Sequence, residues 1–260
     1  MDINLNELLQ GKATVIKNKE YLPTAAYVEP FLERLQRITD DFRVHVQLPD
    51  QYTKTEEGGI NTDDITYNRV FIEAVMPDEA CFNNHEKVIG MVMGLDVRKP
   101  VAKFYNGALN CACTNLCVFN PEYLSCQPIE PEQPIDYKPL DRLMNMKDHT
   151  REILTILKNT KFANSIEEQE KHLGQWVRNV MMSSYDNGFQ PVKFSVDNAV
   201  QAFKSLFLKE DSDYYQIASD VNMFDVYNAF TQQITNGIEK GKDLINSFEK
   251  TILLRQILQF

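Results

Sequence analysis

In FRVHVQL, residues 42–48, apolar and polar side chains alternate without a break: Phe42, Val44, Val46 and Leu48 fall on one side, Arg43, His45 and Gln47 on the other. A period of two excludes a helix, whose faces recur every 3.6 residues, and fits a strand with one buried face. RVFIEAVM repeats the pattern, with Val70, Ile72, Ala74 and Met76 inward and Arg69 and Glu73 outward. KVIGMVMGL and VAKFYNGAL then read as two strands joined tightly through Asp96 to Pro100, with Pro100 at a strand start, where its missing N–H is tolerated. Residues 42–120 are therefore expected to form an antiparallel sheet.

Between the first two strands, QYTKTEEGGINTDD is polar, contains Gly58 and Gly59, and reads as a loop. Residues 121–139 hold five prolines, which forbid continuous helix or a central strand, and read as a connector. After it the period changes. Leu143, Met146, Ile153 and Leu157 share a helical face over 140–159. SIEEQEKHLGQWVRNVMMSSY opens with Ser165 and Glu168 at capping-box spacing. SVDNAVQAFKSLFL, DVNMFDVYNAFTQQITNG (ending at Gly237) and GKDLINSFEKTILLRQIL complete a mainly helical second half. The expected fold is α+β: an N-terminal segment (1–41), the sheet (42–120), the connector (121–139) and a helical region (140–260) that shares one core with the sheet. In the last helix Leu244, Phe248, Ile252 and Ile257 make an apolar stripe that Leu253, Leu254, Leu258 and Phe260 widen. Such a face is expected inside the same molecule, with a homo-oligomer contact as the other outcome.

Composition narrows the functional classes. With 37 acidic against 27 basic residues in 260, the net charge is −10, which disfavours loose association with polyanions unless a basic face is built locally. The N-terminus MDINLNELLQ lacks the basic and apolar regions of a signal peptide. The longest apolar run, VIGMVMGL, is far short of the roughly 20 residues of a membrane-spanning helix. Five cysteines without a secretion signal are expected to stay reduced, in the cytoplasm.

The most chemical-looking segment is GALNCACTNLCVFNP, with Cys111, Cys113 and Cys117, followed by Cys126. The three share parity, so in a strand their thiols stand in a row rather than converge on a tetrahedral zinc. They are read as small core hydrophobes, and no metal or cofactor is expected. The polar side chains Asn110, Thr114 and Asn115 in that segment need hydrogen-bond partners. Among four histidines none makes H-E-x-x-H, and no Walker loop, dinucleotide fingerprint or G-x-S-x-G elbow occurs. The acidic groups Asp63-Asp64 and Glu210, Asp211, Asp213 read as solvated loops. No catalytic residue is assigned, and a non-enzymatic protein is expected.

A basic grouping remains. Arg43, His45 and Arg69 project from the polar faces of two strands, and Arg98, Lys99 and Lys103 cluster at the next turn and strand, near Tyr105. Lysine and arginine at phosphate spacing, with aromatic rings to stack on bases, make a sequence-tolerant single-strand binding surface. Glu56, Glu57, Asp63, Asp64 and Glu73 in the same region would dilute it.

The segments NRVFIEAVMP, EKVIGMVMGLDVRKPVAKFYNGALNCACTNLCVFNP, GQWVRNVMMSSYDNGF and MFDVYNAFTQQIT resemble an uncharacterised phage- and plasmid-encoded protein family of mobile elements in gut bacteria. The likeness runs from about residue 42 to the end and includes Cys113-Thr114-Asn115, Tyr227, Asn228, Phe230 and Thr231. It implies a mobile-element setting near DNA replication, recombination or defence evasion, and no agreed catalytic role. Two functions follow. One is a single-stranded DNA binding or annealing factor using Arg43, His45, Arg69, Arg98, Lys99 and Lys103, with Tyr105 or Tyr185 stacking. The other is an interaction module whose acidic surface binds and inhibits a host or phage protein.

Overall fold

A computed structural model of the chain describes residues 5–47, 67–76, 85–96, 99–110, 115–118, 122, 124–147, 149–162, 168, 171, 175, 178, 184–185, 192–193 and 221–239. In chain order its elements begin with helix α1 (Leu5–Leu9), strands β1 (Thr14–Ile16) and β2 (Lys19–Tyr21), and helix α2 (Thr24–Leu35). Strands β3 (Phe42–Gln47), β4 (Arg69–Val75), β5 (His85–Gly94), β6 (Val101–Asn110), β7 (Asn115–Cys117) and β8 (Leu124–Pro128) follow. Helices α3 (Lys138–Asn145) and α4 (Thr150–Asn159), short strands β9 (Ser184–Tyr185) and β10 (Val192–Lys193), and helix α5 (Met223–Glu239) complete the series. The architecture is α+β, and among the described residues no helix is long and apolar enough to cross a membrane.

The chain divides into two compact units, one of residues 1–107, 121–146 and 187–190, the other of 108–120, 147–186 and 191–260. In the first, the sheet runs in the order β3-β4-β5-β6, with β8 paired to β6. The antiparallel register sets Val44 opposite Ile72 and Val46 opposite Val70, then Ile72 opposite Met91 and Ala74 opposite Ile89. The apolar parity expected from FRVHVQL and RVFIEAVM thus becomes one continuous apolar face. Tyr27, Val28, Phe31, Leu32 and Leu35 of α2, and Leu140 and Leu143 of α3, belong to the same core. Phe104 packs within it, its ring stacked on Phe31 at 6.5 Å and meeting Tyr137 at 5.2 Å.

Helix α2 lies in the stretch expected as the N-terminal segment (1–41). Thr24, Tyr27, Val28, Phe31, Leu32 and Leu35 follow helical spacing and are all buried, but Pro30 sits inside the helix and disguises the pattern. Ahead of it, β1 and β2 form a hairpin whose two turn residues, Lys17 (φ 51°) and Asn18 (φ 62°), both lie in the left-handed region that a tight two-residue hairpin needs.

Two further expectations change. The Pro-rich connector contains a strand: β8 pairs Pro128 with Val101 and Leu124 with Tyr105, and Pro128 is tolerated at the strand's end. Residues 140–159 form two helices, because Met146 turns extended (ψ 141°) and ends α3 before α4 begins at Thr150. Each has its own short buried stripe, Leu140 and Leu143 in one, Thr150, Leu154 and Leu157 in the other.

In the second unit the end of β6 pairs antiparallel with β7, Ala108 opposite Cys117, and the Cys117 side chain is buried. Cys111 and Cys113 lie outside the described residues. Helices α4 and α5 are tied by a short antiparallel bridge, in which Phe162 N–H donates to Val221 O at 3.0 Å and Met223 N–H donates to Thr160 O at 2.9 Å. The helix expected to end at Gly237 continues to Glu239. Glu168, Lys171, Gln175 and Arg178 are helical, as SIEEQEKHLGQWVRNV led one to expect, whereas the expected helices over 195–208 and 241–258 and the two acidic loops lie outside the described residues.

Candidate functional site

The second face of the first unit's sheet carries the chemistry. Alternation places Arg43 and His45 of β3, Arg69, Phe71, Glu73 and Val75 of β4, Val88, Gly90 and Val92 of β5, and Lys103 and Tyr105 of β6 on it. Arg43 lies directly opposite Glu73, which lies opposite Gly90; His45 lies opposite Phe71, which lies opposite Val92.

This face was expected to be polar and open, and over its centre it is buried. Phe71, Glu73, Val75, Val88, Val92, Lys103 and Tyr105 are all closed to solvent. KVIGMVMGL contained the signal, since it is apolar at both parities, the mark of a strand covered on both sides.

Two ionic pairs flank the buried centre. Arg43 Nη2 is 2.9 Å from Glu86 Oε2, with Asp41 Oδ2 at 3.9 Å, and Arg69 Nε is 2.8 Å from Asp96 Oδ1. Glu86 and Asp96 lie near the two ends of β5, so the pairs sit at opposite ends of the β4–β5 ladder. Both arginines keep part of their side chain in water, 35% for Arg43 and 22% for Arg69.

Between the pairs an aromatic row runs across the strands, His45 to Phe71 at 6.1 Å and Phe71 to Tyr105 at 5.9 Å between ring centres. Tyr105 Oη donates to Glu73 Oε1 at 3.1 Å. Burial pushes the Glu73 carboxyl above its usual range, against the opposing pull of His45, the Tyr105 hydrogen bond and Arg43. Tyr105 is pushed up further, by burial first and then by the Glu73 charge and hydrogen bond.

Of the residues expected to bind nucleic acid, Arg43, His45, Arg69, Lys103 and Tyr105 share this one face. Lys103 and Tyr105 are wholly buried in it, while Arg43, His45 and Arg69 are partly exposed. Lys99 is exposed in the β5–β6 connection, Arg98 lies outside the described residues, and Tyr185 belongs to β9 in the second unit, opposite Val192. The sequence reading missed Glu86 and Asp96 as partners of the arginines. The antiparallel β4–β5 pairing was sufficient to bring Asp96 to Arg69, whereas Glu86 meets Arg43 only across β4. Among the described residues no three His, Cys, Asp or Glu side chains are grouped to hold a metal ion. No protein family, curated protein or solved structure matches the chain.

Proposed function

We propose that the protein is a non-enzymatic factor of DNA metabolism, carried by mobile elements and working in the cytoplasm, that binds or anneals single-stranded nucleic acid. The observation that supports this reading is the gathering of Arg43, His45 and Arg69 on one sheet face around an aromatic row, with exposed Lys99 at the adjoining turn. Partly exposed guanidinium groups suit phosphate, which accepts two parallel N–H bonds from the planar fork. Lys103 and Tyr105, wholly buried on the same face, are closed to a bound strand. The reading takes the C-terminal half as mainly helical.

The test is fluorescence anisotropy with a labelled oligothymidylate at two ionic strengths. Each phosphate contact contributes about −0.7 to the slope of log affinity against log salt for single strands. Arg43→Ala with Arg69→Ala should weaken binding and flatten the slope by roughly 1.4 if both arginines meet phosphates. Absence of binding in dilute buffer removes the reading.

One observation favours a second reading, a module that binds a basic host or phage protein. Arg34, Arg43 and Arg69 are each held by a carboxylate, within a chain of net charge −10. A protein that ignores oligonucleotide at every salt concentration but binds a basic partner by titration would fit it.

A further inference from the structure

The two ionic pairs at the ends of the β4–β5 ladder have a consequence for how a strand would bind. We propose that Glu86 and Asp96 are built-in competitors for the polyanion: in the free protein they occupy Arg43 and Arg69, and on binding they give way to backbone phosphates. This rests on the reading of the sheet face as a single-strand binding surface.

The geometry supports exchange over permanent locking. Glu86 and Asp96 retain 25% and 27% side-chain exposure, close to that of their arginines, so both partners of each pair are reached by water. Ion pairs in such surroundings hold weakly, and a guanidinium with five N–H donors can begin to bond phosphate before it leaves its carboxylate. The eight β5 residues 87–94 lie between Glu86 and Asp96, roughly 25 Å of extended strand, so two different phosphates must replace them. Glu73, by contrast, is buried against Tyr105 and stays with the protein.

The competing carboxylates set a threshold. A single phosphate gains little by displacing one of them, whereas a strand that spans both pairs displaces two at once and keeps both contacts.

The experiment uses the full chain and a labelled oligothymidylate, with Glu86→Gln, Asp96→Asn and their combination. Each amide keeps the shape and an oxygen acceptor but removes the charge. Glu29→Gln with Glu33→Gln, exposed on helix α2, raises the net charge by the same two units away from the arginines. The sheet double variant should tighten binding by about twofold to fivefold per position and steepen the salt slope, with the α2 variant moving less. Glu86→Ala with Asp96→Ala, which leaves no oxygen for the arginines, should tighten it at least as much, and thermal melts verify that each variant is folded. Equal or weaker binding by the folded sheet variants, or equal tightening by the α2 control, overturns the competitor role while leaving the binding surface in place. Failure of every protein, wild type included, to bind overturns the binding reading itself.

Discussion

The Tyr105 hydroxyl donates a 3.1 Å hydrogen bond to Glu73 Oε1 on a part of the sheet where both side chains are closed to solvent. A carboxyl group in that position is driven toward its protonated form by burial and toward its charged form by His45, Tyr105 and Arg43, and burial dominates. Its pKa in the folded protein therefore stands above the 4.5 of a free glutamate.

The sign of the pH dependence follows. A carboxyl whose folded pKa is raised binds its proton more tightly when folded, so its contribution to stability is fully present below pH 4.5 and is lost as pH rises through the folded value. Glu73→Gln mimics the protonated acid at all pH values. The stability of the variant relative to wild type, from urea denaturation at successive pH values, should rise across that window and level off above it. A difference that does not change with pH would show that Glu73 titrates alike in both states.

Gly90 lies opposite Glu73 on β5 because the Tyr105 ring needs the space. A Cβ at position 90 would stand 2.0 Å from Tyr105 Cζ and 2.2 Å from its Oη. Tyr105 is wholly buried, so the ring has little room to retreat. Gly90→Ala should destabilise the protein by about 1–3 kcal/mol, the usual range for overpacking. Tyr105→Leu removes the obstructing ring, and the two substitutions together should cost less than the sum of each alone, with a coupling of at least about 1 kcal/mol. Additive losses in thermal or chemical denaturation would place the strain elsewhere.

How much of this was readable in the chain depends on which physical rule was in force. The apolar face of β3 and β4 was legible residue by residue, because a period of two leaves no other register: Val44, Val46, Val70, Ile72 and Ala74 are all buried on the expected side. Helix α2 was hidden by Pro30, a residue whose local cost outweighs pattern in a sequence but is offset in the fold by the burial of six side chains around it. The closed character of the second sheet face was missed because Arg43, Arg69 and Glu73 gave it a polar look. Phe71, Val88 and Val92 interleave with those charges only after three strands are laid in register. The pairing of the arginines with Glu86 and Asp96 is of the same kind: each lies 27 or more residues from its partner in sequence, where no local rule reaches.

Arg34 links α2 to α3. Its Nε donates to Asp141 Oδ1 at 3.0 Å, its Nη1 to Pro30 O at 2.7 Å, and its guanidinium carbon sits 4.8 Å above the Tyr137 ring. Tyr137 in turn donates its hydroxyl proton to Tyr27 O. The ion pair with Asp141 is half in water, so the ring stacking and the backbone bond carry more of the effect. Arg34→Ala should lower stability by about 1–2 kcal/mol, and Asp141→Asn by less than about 1 kcal/mol. Arg34→Lys should behave nearly as badly as alanine, since an ammonium cannot bond both oxygens and lie flat on the ring. If Asp141→Asn proves the more damaging in chemical denaturation, the link is ionic instead.

The start of α5 is fixed by a reciprocal pair. Asn222 N–H donates to Asp225 Oδ2 at 3.0 Å, and Asp225 N–H donates to Asn222 Oδ1 at 2.9 Å. Two otherwise unmatched donors of the first turn are thereby satisfied, and the Asp225 charge lies at the positive end of the helix. Met223, between them, is also the residue whose N–H bonds Thr160 O, so fraying here would loosen the bridge to α4. Asn222→Ala and Asp225→Ala should each cost the second unit about 1 kcal/mol, the usual worth of a helix cap. Made together they should cost less than twice that, because either one alone breaks the reciprocity. Hydrogen exchange reads this directly: the amides of Phe162 and Met223 should lose protection in both variants, and unchanged protection at these two positions would mean that the cap and the bridge stand independently.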